Sequence, residues 1–257
     1  MIYLGYAPGG SARATSKSGV SIIRASADTI RSETGSVGCV DEAMDWYFDR
    51  LRNDTPSAVG VDVLMFWETS RCGWRGADRW LRSTYSPIMR SVLPSNSVQG
   101  AAAIQGMALA VSLRRNWPEI ILTETHPRVL YYAMTGNRYE WSPKVAQWLR
   151  DSVGSELGAA IQTQKEWSAL TSAWTAMMGH SGTWSHDLRQ YTKAAVEPAG
   201  PVMFWWPGTG RPDQLASEKS GDPGAPAAPL RRFSHKRKSA QTRPQVRLAR
   251  PIAAGLS

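Results

Sequence analysis

Cysteine is scarce in this chain: Cys39 and Cys72 are the two among 257 residues. So few thiols exclude a disulfide framework and a cysteine-type zinc site, and they predict a reduced, cytoplasmic setting. Long apolar runs are missing too. The most apolar helix candidate, Ala101 to Leu113, is interrupted by Gln105 and is far too short to span a bilayer, and no charged start leads into an apolar run at the N-terminus. Neither secretion nor a membrane partner is expected. A Walker-type phosphate loop is absent as well, because Gly5 to Gly10 lacks the Gly-Lys-Ser/Thr ending. Ser168 has no histidine at a recognisable spacing, which leaves a hydrolytic serine nucleophile without support. Acid is missing from the opening segment, where the first carboxylate is Asp28.

What the chain does have is apolar and aromatic bulk. Apolar residues make up 42% and there are 12 Trp, enough for one sizeable core. The net charge of +9 reads as a nucleic-acid signal until it is located. From Gly208 to Ser257 there are ten Lys and Arg against three Asp and Glu, which leaves twenty against eighteen for residues 1–207. The charge therefore sits in a segment rich in Pro, Gly, Ala and Ser that includes Leu230-Arg-Arg-Phe-Ser-His-Lys-Arg-Lys-Ser239. Such a segment buries too little apolar surface to offset its ordering entropy, so 208–257 is expected to be a disordered basic tail behind one domain, 1–207. Its polycation reads either as a grip on phosphate backbone or as a solubilising extension.

The body alternates strand and helix patterns. Met1 to Tyr6 and Val20 to Ala25 read as paired strands, Val37 to Arg52 as an amphipathic helix, and Val59 to Leu64 as a strand buried on both faces. Gln99 to Trp117 is helical in pattern, Ile120 to Thr123 is a buried strand, and Ser155 to Met178 contains a long helix. Val202 to Trp206 reads as a closing strand stopped by Pro207. This order predicts an α/β domain with a mixed sheet.

Two carboxylates stand out because they lie in apolar strands. Burying a lone carboxylate costs on the order of several kcal/mol unless a charge or hydrogen bond meets it, so Asp62 and Glu124 ask for a reason. His126, two residues past Glu124, would share its face if the strand continued. Asp62 reads either as a weak single-ion ligand or as the partner of Arg71, Arg75 or Arg79 in a buried bridge. Arg75, Arg79 and Arg82 lie three to four apart, as on one helix face, and with Arg71 they form either a phosphate-binding stripe or a solvated face neutralised by Asp78. Trp67, Trp74 and Trp80 could stack bases or fill core. His180 and His186 lack ligand-spaced partners and read as surface histidines.

The ordered landmarks Gly-Val-Asp62 with Trp67, then Arg71-Cys-Gly-Trp-Arg75-Gly-Ala-Asp78-Arg79-Trp-Leu-Arg82, then Glu124-Thr-His126-Pro127 resemble the predicted ribonuclease H-like nucleases grouped as domain of unknown function four-two-nine. The resemblance spans roughly residues 1 to 207. It implies a ribonuclease H-like mixed sheet flanked by helices, and hydrolysis of phosphodiesters in DNA or RNA by two Mg²⁺ or Mn²⁺ ions. Those ions would be held by carboxylates of the first strand, the central strand and the last helix. Two of these positions are substituted. Gly5-Tyr-Ala7-Pro-Gly-Gly10 has Ala7 where the family has Asp, and Glu166-Trp-Ser168-Ala-Leu has Ser168 at the last-helix Asp. Glu166 is about 200° around the helix from Ser168 and does not replace it. Two readings follow. In the first, a degenerate nuclease-family protein keeps the fold and contacts nucleic acid, with little or no catalysis. In the second, an active nuclease uses Asp62 and Glu124 as catalytic residues, with Asp62, Glu124 and His126 as metal ligands and help from Asp41 or Asp45.

Overall fold

The β-branched and aromatic residues of the first forty positions build an antiparallel meander, β1 (Ile2–Ala7), β2 (Ser18–Ala25) and β3 (Ile30–Val37). The computed structural model describes residues 1–10, 16–69, 73–92, 100–154, 156–157 and 161–208. Of the expected tail, 208–257, all but Gly208 lies outside the described residues, as do Arg71 and Cys72. After the meander comes α1 (Val40–Leu51), started by the Cys39 Sγ accepting from the Glu42 N–H at 3.5 Å, with Asp41 and Glu42 against the positive end of the helix. It leads to β4 (Ala58–Val61), which lies parallel to β1 on the side away from β2.

A short strand β5 (Trp67–Glu68), helix α2 (Gly76–Thr84) and a 3-10 turn at Ser86–Ser91 follow. Then α3 (Ala101–Asn116) crosses over to β6 (Ile121–Glu124), parallel to β4. Pro127 and Pro143, set at the first turns where a missing N–H costs nothing, open α4 (Pro127–Thr135) and α5 (Pro143–Val153), and left-handed Gly136 and Gly154 close them. Neither helix was expected from the sequence, nor was β3.

The last third holds β7 (Glu156–Leu157), α6 (Gln164–His180), β8 (His186–Asp187), β9 (Ala195–Val196), β10 (Val202–Met203) and β11 (Trp205–Trp206). The long helix starts at Gln164 rather than near Ser155, since Glu156–Leu157 pair with β3 instead. The closing run Val202 to Trp206 is two strands. Val202–Met203 joins the main sheet and Trp205–Trp206 pairs with β8.

The main sheet runs β10-β6-β4-β1-β2-β3-β7, with β10, β6, β4 and β1 parallel and β2 antiparallel between β1 and β3. Helices flank it. This is the α/β class with a ribonuclease H-like mixed sheet that was expected. Among the described residues no helix is long and apolar enough to cross a membrane.

Helix α6 is the centre of the packing and is buried on nearly every side, with Thr171, Ser172 and Thr175 donating their hydroxyls to carbonyls one turn back. It lies on the sheet because Gly5 and Gly60, register partners on β1 and β4, have no side chain to hold it off. A Cβ at Gly5 would sit 2.0 Å from the Ala169 carbonyl oxygen, and one at Gly60 would sit 2.0 Å from that of Ser172. The helix start is fixed by Thr163, whose hydroxyl accepts from the Glu166 N–H, while the Glu166 carboxylate reaches back to the Gln162 N–H and accepts from Ser36. Its other face carries an aromatic ladder. Ring centroids are 4.6 Å apart for Tyr139 and Trp167, 6.5 Å for Trp167 and Trp148, 6.0 Å for Trp148 and Trp174, and 5.1 Å for Trp174 and Trp184.

Candidate functional site

Parallel strands end at one edge of a sheet, and the crevice outside their carboxyl ends is where α/β domains bind ligands. Here β1 ends at Ala7, β4 at Val61 and β6 at Glu124. Asp62 is the first residue beyond β4, its N–H donating to the Tyr6 carbonyl at 2.9 Å, which makes it the lateral neighbour of buried Ala7. The strand is shorter than its apolar run because Asp62 already belongs to the turn.

Asp62 is half-buried at the floor of a cleft of about 380 Å³ whose rim carries Arg90, His126, Arg128 and Lys165. Burial pushes its carboxyl up to about 6, against the pull of Lys165, the Ser168 hydroxyl and Arg128, while the charge of Glu124 pushes the same way as burial. Ser168, at the position where the resemblance places a carboxylate, thus favours the ionised form of Asp62. Lys165 half-buries its stem and donates its ammonium to the Pro8 carbonyl. Asp62 does not pair with Arg75, Arg79 or any other arginine in a salt bridge among the described residues.

The buried bridge exists, but between other partners. Arg75, 1% exposed, gives one fork to Glu124 at 2.6 and 2.6 Å and another to Asp78 at 2.9 and 2.8 Å, and it also donates to the Phe66 carbonyl. Glu124 takes a further bond from the Met65 N–H at 2.8 Å. Burial favours a neutral Arg75, yet the two carboxylates overcome it and hold the guanidinium charged. Burial likewise raises the Glu124 carboxyl, with Arg75 opposing. No local spacing announces a bond that spans forty-nine residues.

The expected phosphate stripe therefore does not form as such. Arg75 caps the start of α2 and is sealed inside, and Arg82 donates to the Met89 and Val92 carbonyls and lies 4.5 Å over Trp74. Arg79 is exposed. Asp41 and Asp45 are exposed on α1 and line no part of the cleft. Trp80 packs with Tyr191 and His186, while Trp67 lines an apolar groove with Ile104 and Met107. His180 meets the Tyr3 hydroxyl. The residues that sequence reasoning missed are Arg90, Arg128 and Lys165. Lys165 was visible only as a neighbour of the Glu166-to-Ser168 motif, and Arg128 as the residue following Pro127.

Asp62, Glu124 and His126 do come together, around a cavity of about 40 Å³ that also touches Asp78. His126 is no longer on the strand. It is the N-cap of α4, and burial lowers it to about 4, against the pull of Asp78, so the imidazole is neutral at pH 7. Mg²⁺ and Mn²⁺ require several free oxygen ligands. Both Glu124 oxygens are taken by Arg75, the β1 position offers only the Ala7 methyl, and Asp62 has Lys165 and Arg128 for company. Among the described residues no group of three His, Cys, Asp or Glu is placed to hold a metal. This donor set does not fit the two-ion centre that the resemblance implies.

Fold and site together define a ribonuclease H-like α/β domain with a cleft lined by Arg90, Arg128 and Lys165 beside one carboxylate that has no salt-bridge partner among the described residues. Among solved structures, the chain is similar to Thermus thermophilus RuvC, at 16% identity over 71% of this chain and 98% of that chain with a TM-score of 0.38. It is likewise similar to T. thermophilus RuvC in complex with Holliday junction substrate, at 15% identity over 71% and 97% with a TM-score of 0.42. No family model and no curated protein matches the chain. At such identities no residue role is carried across.

Proposed function

We propose that this protein is a degenerate member of the ribonuclease H-like nucleases that binds nucleic acid through the cleft above Asp62 and does not depend on a divalent ion to do so. One observation carries the reading. Glu124, the second carboxylate of the edge, is held at both oxygens by Arg75, so the cleft presents Lys165, Arg128 and Arg90 to an incoming ligand with Asp62 alone opposing them. Three cations at a concave edge suit the phosphodiester backbone, which such groups neutralise by releasing its condensed counterions. The resemblance in the ordered landmarks supports the same ligand class, and the substitutions Ala7 and Ser168 support loss of the hydrolytic step.

The test is binding of a labelled oligonucleotide in EDTA. Wild type should bind, and Lys165→Ala or Arg90→Ala should weaken binding and reduce the slope of log affinity against log salt by about one each. Mn²⁺-dependent cleavage by the wild type that disappears in Asp62→Asn would sink the proposal in favour of an active nuclease.

A further inference from the structure

Beside the cleft lies a second concavity of about 530 Å³, sharing Arg90 and Arg128 with it and walled further by Pro87, Met89, Arg138 and Tyr139. No carboxylate lines it. Among the described residues none of its three arginines has an acidic partner within salt-bridge distance. Arg138 is anchored by donating to the Pro87 carbonyl at 3.2 Å, and the Arg128 guanidinium stands 5.4 Å from the centre of the Tyr139 ring. Three guanidiniums from three segments, the 3-10 turn, the start of α4 and the loop after it, thus converge on one polar hollow.

Convergence of this kind matches a group with high charge on one atom centre. A phosphodiester in mid-strand carries one charge and two free oxygens. A phosphomonoester carries nearly two charges near neutral pH and three free oxygens, each able to take an arginine fork. The shared wall of Arg90 and Arg128 makes the hollow a neighbour of the cleft, within reach of the end of a strand that lies there. We infer that the Arg90, Arg128 and Arg138 hollow is a phosphomonoester site that receives the phosphorylated end of the strand held in the cleft. The inference rests on the nucleic-acid reading above and names the form of ligand within it.

The experiment uses the full chain in EDTA and one internally labelled single strand of DNA carrying a 5′-phosphate, a 3′-phosphate or hydroxyls at both ends. One phosphorylated form should bind about tenfold more tightly than the hydroxyl form. Arg138→Ala and Arg138→Gln should both erase that advantage while leaving the affinity for the hydroxyl form within about twofold, since Arg138 lines only the hollow. Equal affinity for all three strands, or an advantage that survives both variants, overturns the inference and leaves the nucleic-acid reading standing. Failure to bind any strand overturns both. A nucleoside monophosphate that competes as well as the phosphorylated strand would assign the hollow to free nucleotides and overturn the strand-end assignment.

Discussion

Asp62 and His126 face the same cleft and respond to acid in opposite senses. The Asp62 carboxyl is raised to about 6, so the fold binds its proton more tightly than the unfolded chain does, and between roughly pH 4 and 6 ionisation of Asp62 costs stability as pH rises. His126 is lowered to about 4, so protonating it costs stability as pH falls from roughly 6.5 towards 4. Asp62→Asn should therefore be more stable than wild type at pH 7, with the advantage gone near pH 4, whereas His126→Gln should remove part of the acid loss; urea midpoints across this range read both. Arg75 belongs to a different category. Arg75→Met strands two buried carboxylates and should lower unfolding stability by about 3–5 kcal/mol, and adding Glu124→Gln with Asp78→Asn should recover much of it. At this scale the sequence showed that Asp62 and Glu124 needed partners, because apolar neighbours surround both. It could not show that Glu124 takes the Arg75 fork while Asp62 takes no salt bridge among the described residues, because such partners are chosen by three-dimensional placement.

At the scale of elements, α6 decides the geometry. Gly5 and Gly60 let it rest on the sheet, and from there it delivers Ser168 to Asp62 and Lys165 to the cleft rim. Gly5→Ala should cost about 3 kcal/mol and Thr163→Ala about 1 kcal/mol in chemical denaturation, the first by pushing helix backbone off strand backbone and the second by uncapping the helix. The paired opening strands, α1, α3 and β6 were legible from periodicity. Strand β3 was not, because Ile30-Arg-Ser-Glu-Thr-Gly-Ser-Val37 is mostly polar and is a strand only because β2 pairs along its whole length. Helices α4 and α5 escaped because each is short and begins at a proline, which reads as a loop unless its first-turn role is recognised.

For the whole molecule, charge is divided between a nearly balanced body and a cationic C-terminal segment, and the proposed binding predicts a separate contribution of each to its salt dependence. A chain ending at Pro207 should still bind an oligonucleotide through the cleft but with weaker affinity and a shallower salt slope; an unchanged slope would remove the segment from the interaction. The class of fold was readable from element order. The linings of the cleft and of the hollow beside it were not, since Arg90, Arg128 and Lys165 of the first and Arg138 of the second come from four segments with no shared motif. The aromatic ladder, finally, is also an optical circuit. Its rings stand 4.6 to 6.5 Å apart from Tyr139, in the wall of the hollow, through Trp167 and Trp148 to Trp174 and Trp184, close enough for one excited ring to pass its energy to the next. Whatever settles against Tyr139 should change the light that these indoles emit, so the protein carries a built-in, label-free gauge of what the hollow holds.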